Sequence, residues 1–437
     1  RNSAILSMYL QFNNPMKIQT ILPLAAILVL TALYLLGAAA VPFHPDEATQ
    51  IFMSSDFENL FAQPSSLFYS LSPADPLRQN YRLLDAPLSR WLIGAGRFIT
   101  GQPALNADWD WSKSWQQNES ARALPSTGLL RVSRIAVAWL FAVTLFLGYR
   151  TGIVLGGTAM GWLMIVFVSI NALVLLHARR AMAESALLFT VTWFAHALAK
   201  KETRPLLLVL PPALAVNAKQ TAAGLVLIAL LAVWMYSSGH PWRKRLSHVL
   251  QGALLILLVS YALNPVAWKN PAAAARAALA ARSELAERQV ETIRAVSPEL
   301  LMQSPLQRAA GWLVYLFISE PAVADVANYI NDTRASEQVY FSNPVHNFLR
   351  GVTGGILMVL LSLFGFAYAV YTAAKNPLKR TPLTLLLLAG VACFLSLALL
   401  IPLPFQRYTV LLVPFSTLWS VFLLNGLIIR LNKNREA

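Results

Sequence analysis

The chain has 437 residues, of which 57% are hydrophobic and 13% charged, and its formal net charge is +15. Soluble globular domains carry about 25% charged residues and lack apolar runs long enough to cross a bilayer. The single cysteine, Cys393, excludes a disulfide and a cysteine-based metal site within the chain. The composition therefore predicts an all-α polytopic membrane protein. A net charge of +15 could suggest a nucleic-acid partner, but the distribution of the cations along the chain is more informative than their number. No nucleic-acid partner is expected.

Apolar stretches predict about ten transmembrane helices in a single membrane domain, 20–437, that follows a cytoplasmic segment, 1–19. A single helix over 205–237 would be about 50 Å long against a hydrocarbon core of about 30 Å. Pro211-Pro212 and the polar residues 217–220 also interrupt it, so this region is predicted to form two short passes. The predicted spans are 20–41, 129–149, 152–176, 183–199, 205–218, 220–237, 247–264, 351–373, 382–401 and 409–429.

The charge distribution orients these helices. With the N-terminus in the cytoplasm, the cytoplasmic segments hold almost all of the surplus cations, and only Glu202 and Glu436 oppose them. Merging 205–237 into one pass would move Arg243–Arg245 outside, against the positive-inside tendency of membrane proteins. Both termini are therefore predicted to be cytoplasmic, with two long external loops at 42–128 and 265–350. A bacterial plasma membrane is the expected location.

Both external loops are predicted to carry surface helices. In the first loop, Leu83–Ile99 reads as an amphipathic helix lying on the membrane. In the second, a helix is expected from Pro271 to about Val296, supported by Glu284 and Arg288 at i,i+4 spacing.

Six cations are left at the outer ends of the predicted helices. Each one alone is adequately explained by snorkelling to lipid headgroups. Six together at one face indicate a shared anionic ligand near the outer surface, because cations toward the bilayer interior are costly. They are Arg131, Arg134, Arg179, Arg180, Lys219 and Arg407.

Two adjacent carboxylates, Asp46 and Glu47, follow the first helix. One of them, partly desolvated at the interface, is a candidate general base for a hydroxyl or amine acceptor. The alternative is a helix N-terminus beginning at Pro45, where acids are favoured in the first turn; composition alone favours this alternative. A divalent cation held by His44, Asp46 and Glu47 is a lesser alternative, because three contiguous residues do not easily face one ion.

The order of several short motifs resembles the GT-C superfamily of membrane glycosyltransferases. The nearest groups are the dolichyl-phosphate-mannose protein mannosyltransferases and the lipid A aminoarabinose transferases. The resemblance covers 20–240 and the last pass, and hardly touches 265–350. The matching positions are Asp46-Glu47, the stretch Ala86–Ile93 with Trp91 and a closing Gly101, Arg131, Arg179 with Glu184, Lys219, and Arg407-Tyr408 with Pro414.

The resemblance implies a GT-C-like bundle that transfers a sugar from a polyprenyl-phosphate-linked donor by inverting single displacement at the external face. The acceptor would be a protein, a lipid or a glycan. Asp46 would be the general base, in preference to Glu47. The six cations would bind the donor phosphate. Glu184 would orient Arg179 or Arg180 by an ion pair, with Trp91 and Tyr408 in supporting roles.

Three departures from the family pattern fall mainly on the acceptor subsite. Asp85-Ala86 stands where the family often has lysine or histidine, Glu184 replaces an aspartate, and Ile51-Phe52 stands where a tyrosine is usual.

Two other classes of function stay open from the sequence. A lipid or solute transporter would also contain intramembrane cations, although it should show repeated halves and charges near the midplane. A non-catalytic subunit of a membrane complex could retain the fold with a decayed site.

Overall fold

A computed structural model describes residues 15–324 and 329–436. Over these residues the chain forms twenty α-helices joined by turns and short 3₁₀ segments, and no strand. Most of the predicted segment 1–19 lies outside the described residues. The helices are α1 Pro15–Gly37, α2 Pro45–Met53, α3 Asp56–Ala62, α4 Pro76–Leu84, α5 Leu88–Thr100, α6 Trp115–Ser120, α7 Thr127–Ala138, α8 Leu140–Gly156, α9 Thr158–Ser169, α10 Ala172–His177, α11 Glu184–Lys200, α12 Pro205–Ala218, α13 Gly224–Tyr236, α14 Trp242–Leu263, α15 Pro271–Val296, α16 Pro305–Leu313, α17 Ile330–Phe341, α18 Gly351–Lys375, α19 Pro377–Leu400 and α20 Val413–Glu436.

Each predicted apolar stretch is mainly helical, although 152–176 is interrupted at Gly157 and at Ile170-Asn171. The predicted division of 205–237 into two short helices, α12 and α13, is confirmed. Within the described residues, six helical segments are long and apolar enough to cross a membrane. Three further apolar segments are shorter: Thr158–Ser169, Pro205–Ala218 and Gln220–Tyr236. The six are Ile21–Ala40, Thr127–Gly156, Trp242–Leu263, Gly351–Lys375, Pro377–Leu400 and Gln406–Arg435.

One predicted boundary is wrong. The second and third spans were expected to separate near residue 150, but α8 continues to Gly156. The break comes at Gly157, whose φ of +87° lies in the left-handed region that a residue without a Cβ adopts at little cost. Residues 152–156 therefore belong to the second span.

Helix α11 forms the centre of the bundle. It packs against α8, α12, α19 and α20, and most of its side chains are buried. By contrast, α14 lies at the periphery, where Leu250, Leu254 and Leu257 are exposed. An apolar outer surface around a buried core is what a helix bundle presents to lipid.

The two long segments between spans pack on each other, because α15 of the second lies against α4 of the first. The predicted helix Pro271–Val296 is confirmed, with Asn270 capping its N-terminus. The expected helix Leu83–Ile99 is wrong at its start. Residues 85–87 form a turn between α4 and α5, because Pro87 interrupts helical hydrogen bonding.

Candidate active site

The two adjacent carboxylates after α1 have different environments. Helix α2 begins at Pro45, and the His44 side chain accepts a hydrogen bond from the Asp46 N–H at 3.1 Å. The Glu47 carboxylate in turn accepts from the His44 N–H, so the two form a capping box. The helix-cap interpretation therefore applies to Glu47, whereas Asp46 faces a cavity and its role as a base stays a prediction.

Glu47 is fully buried in a polar joint, and the expectation that it acts as a base is wrong. Its oxygens accept from Arg134 at 2.8 and 2.7 Å and from the Ala181 N–H at 2.8 Å. Burial would raise the pKa of Glu47, but the charge and hydrogen bonds of Arg134, with the charge of Arg180, lower it below its ordinary value. A carboxylate with a lowered pKa and several hydrogen-bond donors is a poor proton acceptor.

Arg134 is the buried partner of Glu47 and does not line the cavity that Asp46 faces, which differs from its expected role as a phosphate-binding residue. It is 2% exposed, and besides Glu47 it donates to the carbonyl oxygens of Ala38 and Val41 at 2.7 and 2.8 Å. These bonds join the end of α1 to α7. The role of Arg134 in the structure is therefore to hold helices together.

A cavity of about 570 Å³, counting the space at its open mouth, lies where several segments meet. It is formed by the start of α2, the turn between α4 and α5, the start of α11, the turn between α12 and α13, α15, and the 3₁₀ segment Gln406–Leu412. Six charged residues line it: Asp46, Asp85, Glu184, Lys219, Arg282 and Arg407.

Two ion pairs cross this cavity. Arg407 donates to Asp46, across 361 residues of sequence, and Lys219 Nζ lies 2.6 Å from Glu184 Oε1. The Lys219 ammonium also lies 4.2 Å from the centre of the Tyr408 ring, a cation–π contact. Glu184 therefore pairs with Lys219, and the expected ion pair with Arg179 or Arg180 is wrong.

Asp85 and Arg282 line the same cavity and were not predicted as site residues. Burial raises the pKa of Asp85 to about 6; Arg90 opposes the shift, nearby Asp46 adds to it, and Arg282 and Arg407 also oppose it. The sequence did carry a signal for Asp85, since it replaces the family's lysine or histidine. Arg282 carried none, because it is one of many charges on a surface helix.

The three remaining predicted cations, Arg131, Arg179 and Arg180, do not line the cavity, so the expected convergence of all six on one site is not seen. Arg131 is exposed. Arg180 donates to the carbonyl oxygens of Pro42 and Val323 and is 1% exposed. Arg179 lies against the Tyr34 ring, with Nη1 3.3 Å from His346 Nε2.

Trp91, expected in a supporting role, lies outside the cavity as well. Its indole N–H donates to the carbonyl oxygen of Leu263 at 2.9 Å and so joins α5 to the end of α14.

The residues suggested for a divalent cation do not fit such a site. His44 uses Nδ1 in the helix cap, Glu47 is paired with Arg134, and only Asp46 faces the cavity. No group of three histidine, cysteine or acidic side chains arranged to hold a metal occurs in 15–324 and 329–436.

No protein-family model and no curated protein matches the sequence. Solved structures do match its fold. One is the archaeal oligosaccharyltransferase AglB from Archaeoglobus fulgidus in complex with an inhibitory peptide and a dolichol-phosphate, with a TM-score of 0.50 and 13% identity. The same enzyme in complex with zinc and sulfate also matches with a TM-score of 0.50, at 14% identity. AglB is a GT-C glycosyltransferase.

The chain has a GT-C fold. The match to the peptide complex covers 94% of this chain and 51% of AglB, so the chain spans about half the length of the structure that it resembles. The GT-C fold expected from the sequence motifs is thereby confirmed.

Proposed function

We propose that the protein transfers a sugar from a polyprenyl-phosphate-linked donor to an acceptor at the external face of the membrane. The observation that carries this proposal is the cavity itself. Asp46, Lys219 and Arg407 lie far apart in sequence yet line one space, beside residues of both long segments between spans. A potential base and two cations in one cavity match the needs of a reaction that releases a lipid phosphate.

The chemistry follows from these three residues. An acceptor oxygen or nitrogen attacks the anomeric carbon as the bond between that carbon and the phosphate oxygen breaks, which inverts the configuration. Asp46 takes the proton of the acceptor. The electron pair of the broken bond leaves with the polyprenyl phosphate, and Lys219 and Arg407 stabilise its growing negative charge.

Donor binding would also change the two ion pairs of the cavity. In the structure Arg407 is held by Asp46 and Lys219 by Glu184. A phosphate that binds Arg407 competes with Asp46 for the same guanidinium. Its arrival would release the Asp46 carboxylate for proton transfer, so base activation follows donor binding.

For the acceptor and the sugar, we propose only a chemical class. AglB was solved with an inhibitory peptide and a dolichol-phosphate, which supports a lipid-linked donor and a protein acceptor in general terms. Lipid and glycan acceptors stay within the proposal. The partners are then the donor, the acceptor and the surrounding membrane lipid.

The test is sugar transfer by purified protein in liposomes supplied with labelled polyprenyl-phosphate sugars. We expect Asp46→Asn to lower turnover by about 10²–10⁴-fold, because a general base contributes that much, while donor binding is retained. Glu119→Gln, which changes an exposed acid of the same loop, is the matched control and should keep full activity. Full turnover in Asp46→Asn would remove the catalytic assignment.

The same assay separates the two rival functions. A transporter would move the labelled lipid across the liposome membrane without transferring its sugar. A non-catalytic subunit would do neither.

A further inference from the structure

The charges that line the cavity are balanced before any ligand binds. Three acids, Asp46, Asp85 and Glu184, face three cations, Lys219, Arg282 and Arg407. A lipid-linked donor with a single phosphodiester adds one negative charge to this set. The complex then carries an uncompensated charge in a partly enclosed space, which is costly. This inference rests on the proposed function, because it takes that donor as the ligand.

One acid of the cavity differs from the other two. Asp46 is paired with Arg407 and Glu184 with Lys219. The Asp85 carboxyl forms no ion pair with any residue that the structure describes, although the charges of Arg90, Arg282 and Arg407 act on it at longer range. Protonating Asp46 or Glu184 would weaken an ion pair, whereas protonating Asp85 breaks none.

We propose that Asp85 binds the lipid-linked donor in its protonated form, so that donor binding takes up one proton at this carboxyl. A neutral carboxyl group donates one hydrogen bond, which an ionised carboxylate does not. Asp85 would therefore offer its O–H to an oxygen of the donor instead of repelling the phosphate. It is a positioning residue of the donor site, separate from the base Asp46.

The surroundings of Asp85 favour this protonation. Burial and the charge of Asp46 on α2 raise its pKa to about 6, against the opposing charges of Arg90 on α5, Arg282 on α15 and Arg407. A bound phosphate adds a further negative charge, which raises the pKa in the complex above this value.

The sign of the pH dependence follows. Well below pH 6, Asp85 is protonated in the free protein, so donor affinity is nearly independent of pH. Between this value and the higher pKa of the complex, binding takes up a proton, and affinity falls by about tenfold for each unit of rising pH.

The experiment measures binding of farnesyl methyl phosphodiester to the full chain in detergent by calorimetry. A phosphodiester lacks the second ionisation that a phosphate monoester shows near pH 6, so the probe itself does not titrate. Repeating each titration in buffers of different ionisation enthalpy counts the protons taken up. Three proteins are compared: wild type, Asp85→Asn, and Glu287→Gln as a control on the exposed face of α15.

We expect wild type and Glu287→Gln to take up close to one proton about one unit above the pKa of Asp85. Asp85→Asn, which resembles the neutral acid, should take up none and should bind at alkaline pH as tightly as wild type does near pH 6. Proton uptake that persists in Asp85→Asn would overturn the assignment.

Two other outcomes distinguish failure of the Asp85 inference from failure of the proposed function. Binding without proton uptake, or binding that requires added Mg²⁺ or Mn²⁺, would overturn the role of Asp85 and leave the donor site standing. Failure of wild type to bind the phosphodiester at any pH would contradict the proposed function, and the inference with it.

Discussion

Two partners constrain the Lys219 side chain in the cavity. Its ammonium contacts the Glu184 carboxylate at 2.6 Å and the Tyr408 ring at 4.2 Å, and its side chain is 13% exposed. A cation fixed in this way meets a phosphate with little loss of conformational freedom, while Tyr408 adds no competing negative charge. The Lys219 side chain is therefore positioned before the ligand arrives.

We expect Lys219→Ala to weaken donor binding and turnover together. The ammonium would meet the donor phosphate in the ground state and the leaving phosphate in the transition state, so both lose a charge partner. Binding and transfer are measured separately with the same donor. Glu119→Gln again serves as the control. Unchanged donor binding in Lys219→Ala would show that the phosphate lies elsewhere.

The sequence did not predict which individual cations would line the cavity. Arg134 and Arg407 are the same residue type at similar predicted depths. One is buried against Glu47 and the other lines the cavity. That difference depends on which acid each arginine pairs with in the tertiary structure, and the local sequence around an arginine does not predict its partner. Asp46, Lys219 and Arg407 were predicted together, whereas Asp85 and Arg282 came only from the structure.

At the scale of elements, Glu47 links three parts of the chain. It caps α2, pairs with Arg134 on α7, and accepts from the Ala181 N–H before α11. Because Arg134 also binds carbonyl oxygens at the end of α1, a single buried pair fixes the start of α2, which carries Asp46, relative to the bundle.

Glu47→Gln is expected to destabilise the fold. The substitution keeps the size of the side chain but leaves the buried Arg134 guanidinium without its counter-charge, and breaking such a pair costs about 3–5 kcal/mol. Thermal unfolding in detergent should show a lower midpoint than wild type or Glu119→Gln. A normal midpoint with abolished transfer would instead return Glu47 to a chemical role.

At the scale of the whole molecule, the helices followed from the sequence more fully than the site did. Apolar length and charge distribution are properties of contiguous residues, so the division of 205–237 was available without coordinates. The break at Gly157 could not be predicted, because a glycine inside an apolar run does not by itself indicate a left-handed backbone. The sides of the membrane stay predictions.

Cysteine labelling tests those sides. Ser114 and Ser336 are exposed residues of the two long loops, and Ser238 is exposed in the turn between α13 and α14. Cysteines at Ser114 and Ser336 should react with an impermeant thiol reagent in intact cells, and one at Ser238 should react only after lysis. Ser237 is unsuitable because it is buried, and Cys393 is buried as well. Labelling at Ser238 in intact cells would overturn the proposed orientation.

The shortness of the two helices that flank Lys219 has a consequence for the lipid. With 14 residues, α12 is about 21 Å long, against a hydrocarbon core of about 30 Å. If its far end sits level with the cytoplasmic boundary, the turn that bears Lys219 lies several ångströms below the opposite headgroups. A donor phosphate reaches that depth only where the bilayer thins or the lipid sinks. Acyl-chain length in the host membrane should then set how readily the substrate is captured, through a mechanical cost that no side chain of the cavity controls.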